Sequence, residues 1–170
     1  MADALVKQDD ISALYCPVGG AEAMKSVASY LGKVAPEKEP TVATVRCGGV
    51  CAKRPRTNEY NGSKSCAVAA AFYVGETACA YGCLGYGDCV EACAFDAIHI
   101  NPETGLAEVD ADKCTACGAC VAACPKGVIE LRKKWPKNRA IYVSCVSKDK
   151  GPVTMKACKA GCIGCGKCVK

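Results

Sequence analysis

The sequence predicts an α+β chain of short strands and short helices, with cysteine-rich modules standing where a large apolar core would be. Three observations carry this. The 170 residues include 17 cysteines, far above ordinary usage. Many of those cysteines fall at fixed spacing. The principal cysteine run, which begins at Cys114, also recurs upstream in altered form from Cys83.

Composition narrows the class further. The hydrophobic content of 51% counts the cysteines; without them it drops to about 41%, modest for a chain of this length. No stretch approaches the roughly 18 apolar residues that would span a bilayer, and the N-terminal "MADALVKQDD" has no basic region followed by an apolar one. The segment reads as soluble, with no export signal. An odd cysteine count in that context argues against a disulfide framework and for metal. Zinc would call for two separated C-x2-C pairs closing one tetrahedral site.

Instead "CTACGACVAACPKGVIEL" places Cys114, Cys117, Cys120 and Cys124 at x2, x2, x3, followed by Pro125. This is the bacterial ferredoxin run, in which three thiolates hold one 4Fe-4S cubane and the fourth goes to its neighbour. Gly118 allows close backbone approach, and loop amides can offset cluster charge. A single shift superposes Cys83, Tyr86, Cys89 and Cys93 on that run in order, and "CAFDAIHI" on "CPKGVIEL". Each half reads as ligand loop, short helix and strand, with "NPETGLAEVD" as turn and return strand. Residues 79–131 are therefore expected to form a bacterial two-cluster ferredoxin-like core. Crossed ligation follows: Cys93 joins Cys114, Cys117 and Cys120, whereas Cys124 joins Cys83 and Cys89.

Tyr86 leaves that second set one thiolate short. Three readings are open: recruitment of Cys79 as the missing ligand, a three-iron cluster, or an empty site; recruitment of Cys79 is preferred. A second, longer shift puts Cys66, Cys79, Cys83, Tyr86 and Cys89 on Cys145, Cys158, Cys162, Cys165 and Cys168. Residues 132–170 thus read as the start of a second ferredoxin-like module, truncated before its fourth cysteine. Upstream, Cys47, Cys51 and Cys66 form a cysteine-containing module over residues 45–78, with Cys79 as its simplest fourth ligand, so two sites compete for Cys79. Residues 33–44 read as a linker. In residues 1–32, Ala23, Met24, Val27, Ala28 and Leu31 mark an amphipathic helix. His99 reads as a surface strand residue.

The ordered series "RCGG", "YNGSKSC", "CAYGCLGYGDCVEACAFDAIHI", "DADKCTACGACVAACPKGVIEL", "SCVSKDKG" and "GCIGCGKC" resembles the RnfB family, polyferredoxin subunits of the ion-translocating Rnf complex, over nearly the whole chain. The resemblance implies an electron-transfer subunit of a membrane-bound ferredoxin:NAD oxidoreductase, with 4Fe-4S clusters, at least two and more expected. It implies the other complex subunits and a soluble ferredoxin as partners, and a peripheral place on the cytoplasmic face of the membrane. It also implies that Cys16, in "YCPVGG", is the last of four ligands of an N-terminal iron–sulfur domain, and that the family's anchor lies outside this chain. Ala94, where proline commonly follows the fourth cysteine, and Tyr86 depart from the usual ferredoxin pattern.

The net charge of +5 and the blocks "RKKWPKNR" and "CAKRPR" suit an acidic redox partner. No aromatic platform accompanies them as nucleic-acid binding would require. No catalytic residues, nucleotide fingerprint or small-molecule substrate site are expected. The alternative reading is a catalytic iron–sulfur module with an open iron beside Tyr86, or a polyferredoxin subunit of another oxidoreductase.

Overall fold

The chain is seen in a computed structural model that describes residues 2–37, 39–136 and 140–169. Lys137 and Arg139 of the basic block lie outside the described residues. The described elements are few and short, as the cysteine-rich composition predicts.

At the N-terminal end, α1 (Ala2–Lys7) and α2 (Gly20–Tyr30) bury Leu5, Ile11, Met24 and Ala28 in a small apolar cluster of their own. Met24 and Ala28 are the inward face of the expected amphipathic helix. Its end is closed by Gly32 at φ +66, with Gly32 N–H donating to Ser29 O and Lys33 N–H to Ala28 O, a pairing that satisfies otherwise orphaned carbonyls. The Lys33 ammonium then caps α1, donating to the carbonyls of Leu5, Val6 and Gln8 at 2.7, 3.2 and 2.7 Å.

The main core follows the shorter internal repeat. The chain first lays down β1 (Thr41–Val45) and α3 (Cys66–Phe72). A cysteine-bearing loop, α4 (Asp88–Glu91) and β2 (Ile98–Asn101) then form one half; a second such loop, α5 (Ala119–Ala123) and β4 (Ile129–Lys133) form the other. β2 pairs antiparallel with β3 (Leu106–Val109), Ile98 opposite Val109. β4 pairs antiparallel with β1, Ile129 opposite Val45. The strand β1 therefore begins inside the stretch expected as a linker; its β-branched "TVATV" supplies an edge that β4 would otherwise lack. Ala43, Ile98, Leu106, Ala107, Val128 and Ile129 share one core with Cys83, Cys89 and Cys120.

The repeat is also written in the backbone. Gly85 (φ 78) corresponds to Ala116 (φ 56), Gly87 (φ 95) to Gly118 (φ 83), and Asp96 (φ 48) to Gly127 (φ 59). Left-handed conformation costs a non-glycine residue about 1–2 kcal/mol, so Ala116 and Asp96 keep this turn geometry against local preference. Under the longer shift, Gly85 and Gly87 map onto Gly164 (φ 69) and Gly166 (φ 71).

Flanking this core are α3 and a further helix, α6 (Gly151–Ala157), with a 3-10 turn at Cys51–Lys53. Among the described residues, no helix is long and apolar enough to cross a membrane.

Candidate metal centres

Three cavities are each lined by four cysteines. The first holds Cys114, Cys117 and Cys120 from the loop leading into α5, together with Cys93 from just beyond α4. Burial, then the charges of Cys114 and Cys117, push the Cys120 thiol up, with Cys93 adding to the effect. The Ala43 amide of β1 donates to Cys114 Sγ at 3.5 Å. These are the four residues that crossed ligation groups.

The second cavity holds Cys83, Cys89 and Cys124, and its fourth cysteine is Cys66. Burial, then Cys83, Cys66 and Cys124, push the Cys89 thiol up to about 12. Cys79, expected here, lies in the next cavity. The local cause is Asp88, in the first turn of α4 beside Cys89. Its carboxylate accepts from Cys66 N–H at 2.6 Å, Ala67 N–H at 2.9 Å and the Ser65 hydroxyl at 2.9 Å. Burial works against that carboxylate, but these donors outweigh it and hold the Asp88 pKa below its ordinary value. The first turn of α3 is thereby fastened to α4, and Cys66 faces Cys89. Ser65 also caps α3, accepting from Val68 N–H at 3.4 Å.

Tyr86 does not line this second cavity. Its hydroxyl lies 3.2 Å from that of Tyr73, and its ring sits 5.9 Å from that of Tyr60, which stacks on Tyr73 at 4.9 Å. Burial, then the Tyr73 hydroxyl, push its phenol above the usual range.

The third cavity joins Cys47, Cys79, Cys145 and Cys158. Burial raises the Cys79 thiol; the amides of Tyr81 and Gly82 oppose this, and Cys47 and Cys158 add to it. The two distant segments are tied together by Gly48 N–H donating to Ser144 O at 2.8 Å. Arg46, ion-paired with Glu130 at 3.1 Å, donates to the carbonyls of Val143 and Cys145. A Cβ on Gly49 would come within 3.1 Å of Cys158 Sγ and 2.8 Å of Arg54 Cδ, so this approach requires glycine. The upstream module expected from Cys47, Cys51 and Cys66 is thus divided: Cys47 meets Cys79, Cys66 joins the second cavity, and Cys51 is exposed. Cys145 and Cys158 also part from Cys162, Cys165 and Cys168, which line none of the three cavities.

Cys16 accepts a hydrogen bond from Gly19 N–H at 3.3 Å, and no other cysteine belongs to its apolar cluster. His99 is exposed on β2, 3.9 Å from Glu108. Among the described residues, no group of three or more His, Cys, Asp or Glu could hold a single metal ion. Four cysteines to a cavity, amides that donate to sulfur and positive-φ turns are instead the features that suit a cubane.

Asp88 was the residue that motif spacing missed, and Cys66, expected beside Cys47 and Cys51, lines the cavity of Cys83, Cys89 and Cys124 instead. A signal existed: the three aligned loops read "GDC", "GAC" and "GKC", so the run that lacks its cysteine at position 86 also carries the only acidic residue at that turn.

Residues 78–128 match the family model of the 4Fe-4S dicluster domain. Over 147 residues, 86% of this chain, the sequence is 45% identical to the B subunit of the Na(+)-translocating ferredoxin:NAD(+) oxidoreductase complex of Acetobacterium woodii, covering 43% of that protein. Identity is 44% over 95% of the chain to the B subunit of the proton-translocating ferredoxin:NAD(+) oxidoreductase complex of Clostridium ljungdahlii, covering 55% of it. It is 40% over 91% of the chain to the B subunit of the ion-translocating oxidoreductase complex of Methanosarcina acetivorans, covering 57% of it. The chain spans about half the length of these curated relatives. Each of these matches extends far beyond the dicluster segment, over 86% to 95% of the chain, so the likeness to iron–sulfur B subunits of ion-translocating oxidoreductase complexes is not carried by that segment alone.

Proposed function

We propose that this chain relays electrons through a series of 4Fe-4S clusters within a membrane-bound, ion-translocating ferredoxin:NAD oxidoreductase complex. The observation that carries the reading is the junction of two cavities: the Cys83 amide donates to Cys47 Sγ at 3.5 Å, so a cysteine of the second cavity is bonded to a cysteine of the third. Cys89 and Cys93 on one short segment, and Cys120 and Cys124 on another, join the first cavity to the second in the same way.

In this reading residues 79–131 are a two-cluster ferredoxin core, ligated by Cys93, Cys114, Cys117 and Cys120 and by Cys66, Cys83, Cys89 and Cys124. Cys47, Cys79, Cys145 and Cys158 hold a further cluster. When bound, each cluster supplies one-electron storage at low potential. The chain's own residues do the rest: the thiols give up their protons on loading, loop amides donate toward sulfur, and the apolar core around Ile98, Leu106 and Val128 excludes water. With Cys66 as fourth thiolate the second site needs no open iron, and Tyr86 acts as an aromatic cover, which favours a relay over catalysis.

The other subunits of the complex are the partners, and the chain sits peripherally on the cytoplasmic face. For soluble ferredoxin, the basic block offers less than its charge promises, because Arg132, Lys133 and Lys134 are paired with Glu130, Glu39 and Asp112. Iron and acid-labile sulfide analysis of the anaerobically purified chain, with electron paramagnetic resonance of the reduced protein, tests the reading. Three or more interacting 4Fe-4S centres are expected; stoichiometric zinc with no sulfide would refute it.

A further inference from the structure

Arg54 is buried, with 7% of its surface exposed. No carboxylate among the described residues forms an ion pair with it, and its Nε has no hydrogen-bond partner. The other arginine of the third cavity, Arg46, is by contrast neutralised by Glu130. A buried guanidinium without a counter-charge is strongly destabilising, so local packing alone does not account for it. Its position does. One guanidinium nitrogen donates to the carbonyl of Cys83 at 2.5 Å, while the same side chain lines the cavity of Cys47, Cys79, Cys145 and Cys158. Gly49 and Gly82 leave the room it needs: a Cβ would stand 2.8 Å from Arg54 Cδ at the first and 3.2 Å from the guanidinium at the second. The cation is therefore wedged where the second and third cavities meet, beside the bond from Cys83 N–H to Cys47 Sγ.

We propose that Arg54 is the counter-cation of this junction, and that it raises the reduction potentials of the centres on either side above those their thiolate cages alone would set. This rests on the cluster assignment given under Proposed function. A reduced centre carries one more negative charge than an oxidised one, so a fixed buried cation favours the reduced state. The first cavity is not lined by Arg54, nor does Arg54 bond to any of its cysteines, and it serves as the internal reference.

The test is a redox titration of the anaerobically purified chain followed by electron paramagnetic resonance, comparing the parent, Arg54→Gln and Arg54→Lys. With Arg54→Gln the centres of the second and third cavities become harder to reduce, their reduced-to-oxidised ratio at a fixed solution potential falling at least about tenfold, the effect one unit charge has out to about 12 Å at an effective dielectric near 20. The centre of the Cys114 loop shifts less than the other two. Arg54→Lys keeps the charge and holds the junction potentials close to those of the parent. Unchanged junction potentials in a fully loaded Arg54→Gln protein would overturn the proposal, as would an Arg54→Lys protein that shifts as far as Arg54→Gln. If Arg54→Gln loses a cluster, Arg54→Lys alone decides: parental loading and potentials support the proposal, and loss or a shift refutes it. Iron and sulfide content of the parent is read separately, so a missing third cluster overturns the underlying assignment and the Arg54 proposal with it, whereas a full complement with unshifted potentials overturns the Arg54 proposal alone.

Discussion

At Asp88 one carboxylate gathers the Ser65 hydroxyl and the amides of Cys66 and Ala67, and this turns Cys66 toward the Cys83 loop. Cys66→Ala should therefore remove the cluster of Cys83, Cys89 and Cys124 or convert it to a three-iron form. Cys79→Ala should leave that cluster intact and damage the one nearest Cys47. Iron content and spectra of the two variants check this, and the reverse pattern would restore Cys79 to the site beside Tyr86. Asp88→Asn keeps the shape but weakens the charge-assisted bonds to α3. A loss of about 1 kcal/mol in stability is expected, the size of a helix cap, with faster chelator-induced loss of the same cluster. At this scale the sequence was legible where a spacing is local. Cys114, Cys117 and Cys120 group by spacing alone, whereas Cys66 reaches Cys83 from an upstream helix through a hydrogen bond that no spacing rule encodes.

In the proposed ligation the elements carry the crossing. Each short helix has one cysteine in its body and another at its C-terminal end, Cys89 with Cys93 and Cys120 with Cys124, and the two members face different cavities. Cys93→Ala should then disturb the centre on the Cys114 loop more than the centre nearest Cys83. Electron paramagnetic resonance resolving the two centres checks the order of damage. The loop, helix and strand of each half were readable because the internal repeat fixes both hydrophobic pattern and turn positions. The strand β1 was not. It follows a charged, proline-containing stretch, and only pairing with β4, which lies beyond the dicluster segment in the chain, makes it a strand.

For the molecule as a whole, apolar burial is divided between a small N-terminal cluster and a core in which cysteine side chains take part. Metal binding should therefore supply much of the folding free energy. Loaded protein is expected to melt cooperatively and well above the chelator-treated chain; equal transitions by calorimetry would contradict this. The overall class could be read from composition and repeats, but not the third cavity, because its cysteines come from segments as distant in the chain as Cys47 and Cys158. That separation has a kinetic consequence. The first two cavities draw no cysteine from beyond Cys124 and can close as soon as that part of the chain emerges from the ribosome, while the third needs Cys158. Loop closure over such a span is slow relative to local turns. During synthesis Cys47 and Cys79 therefore wait on a segment not yet made, and the third cavity closes last.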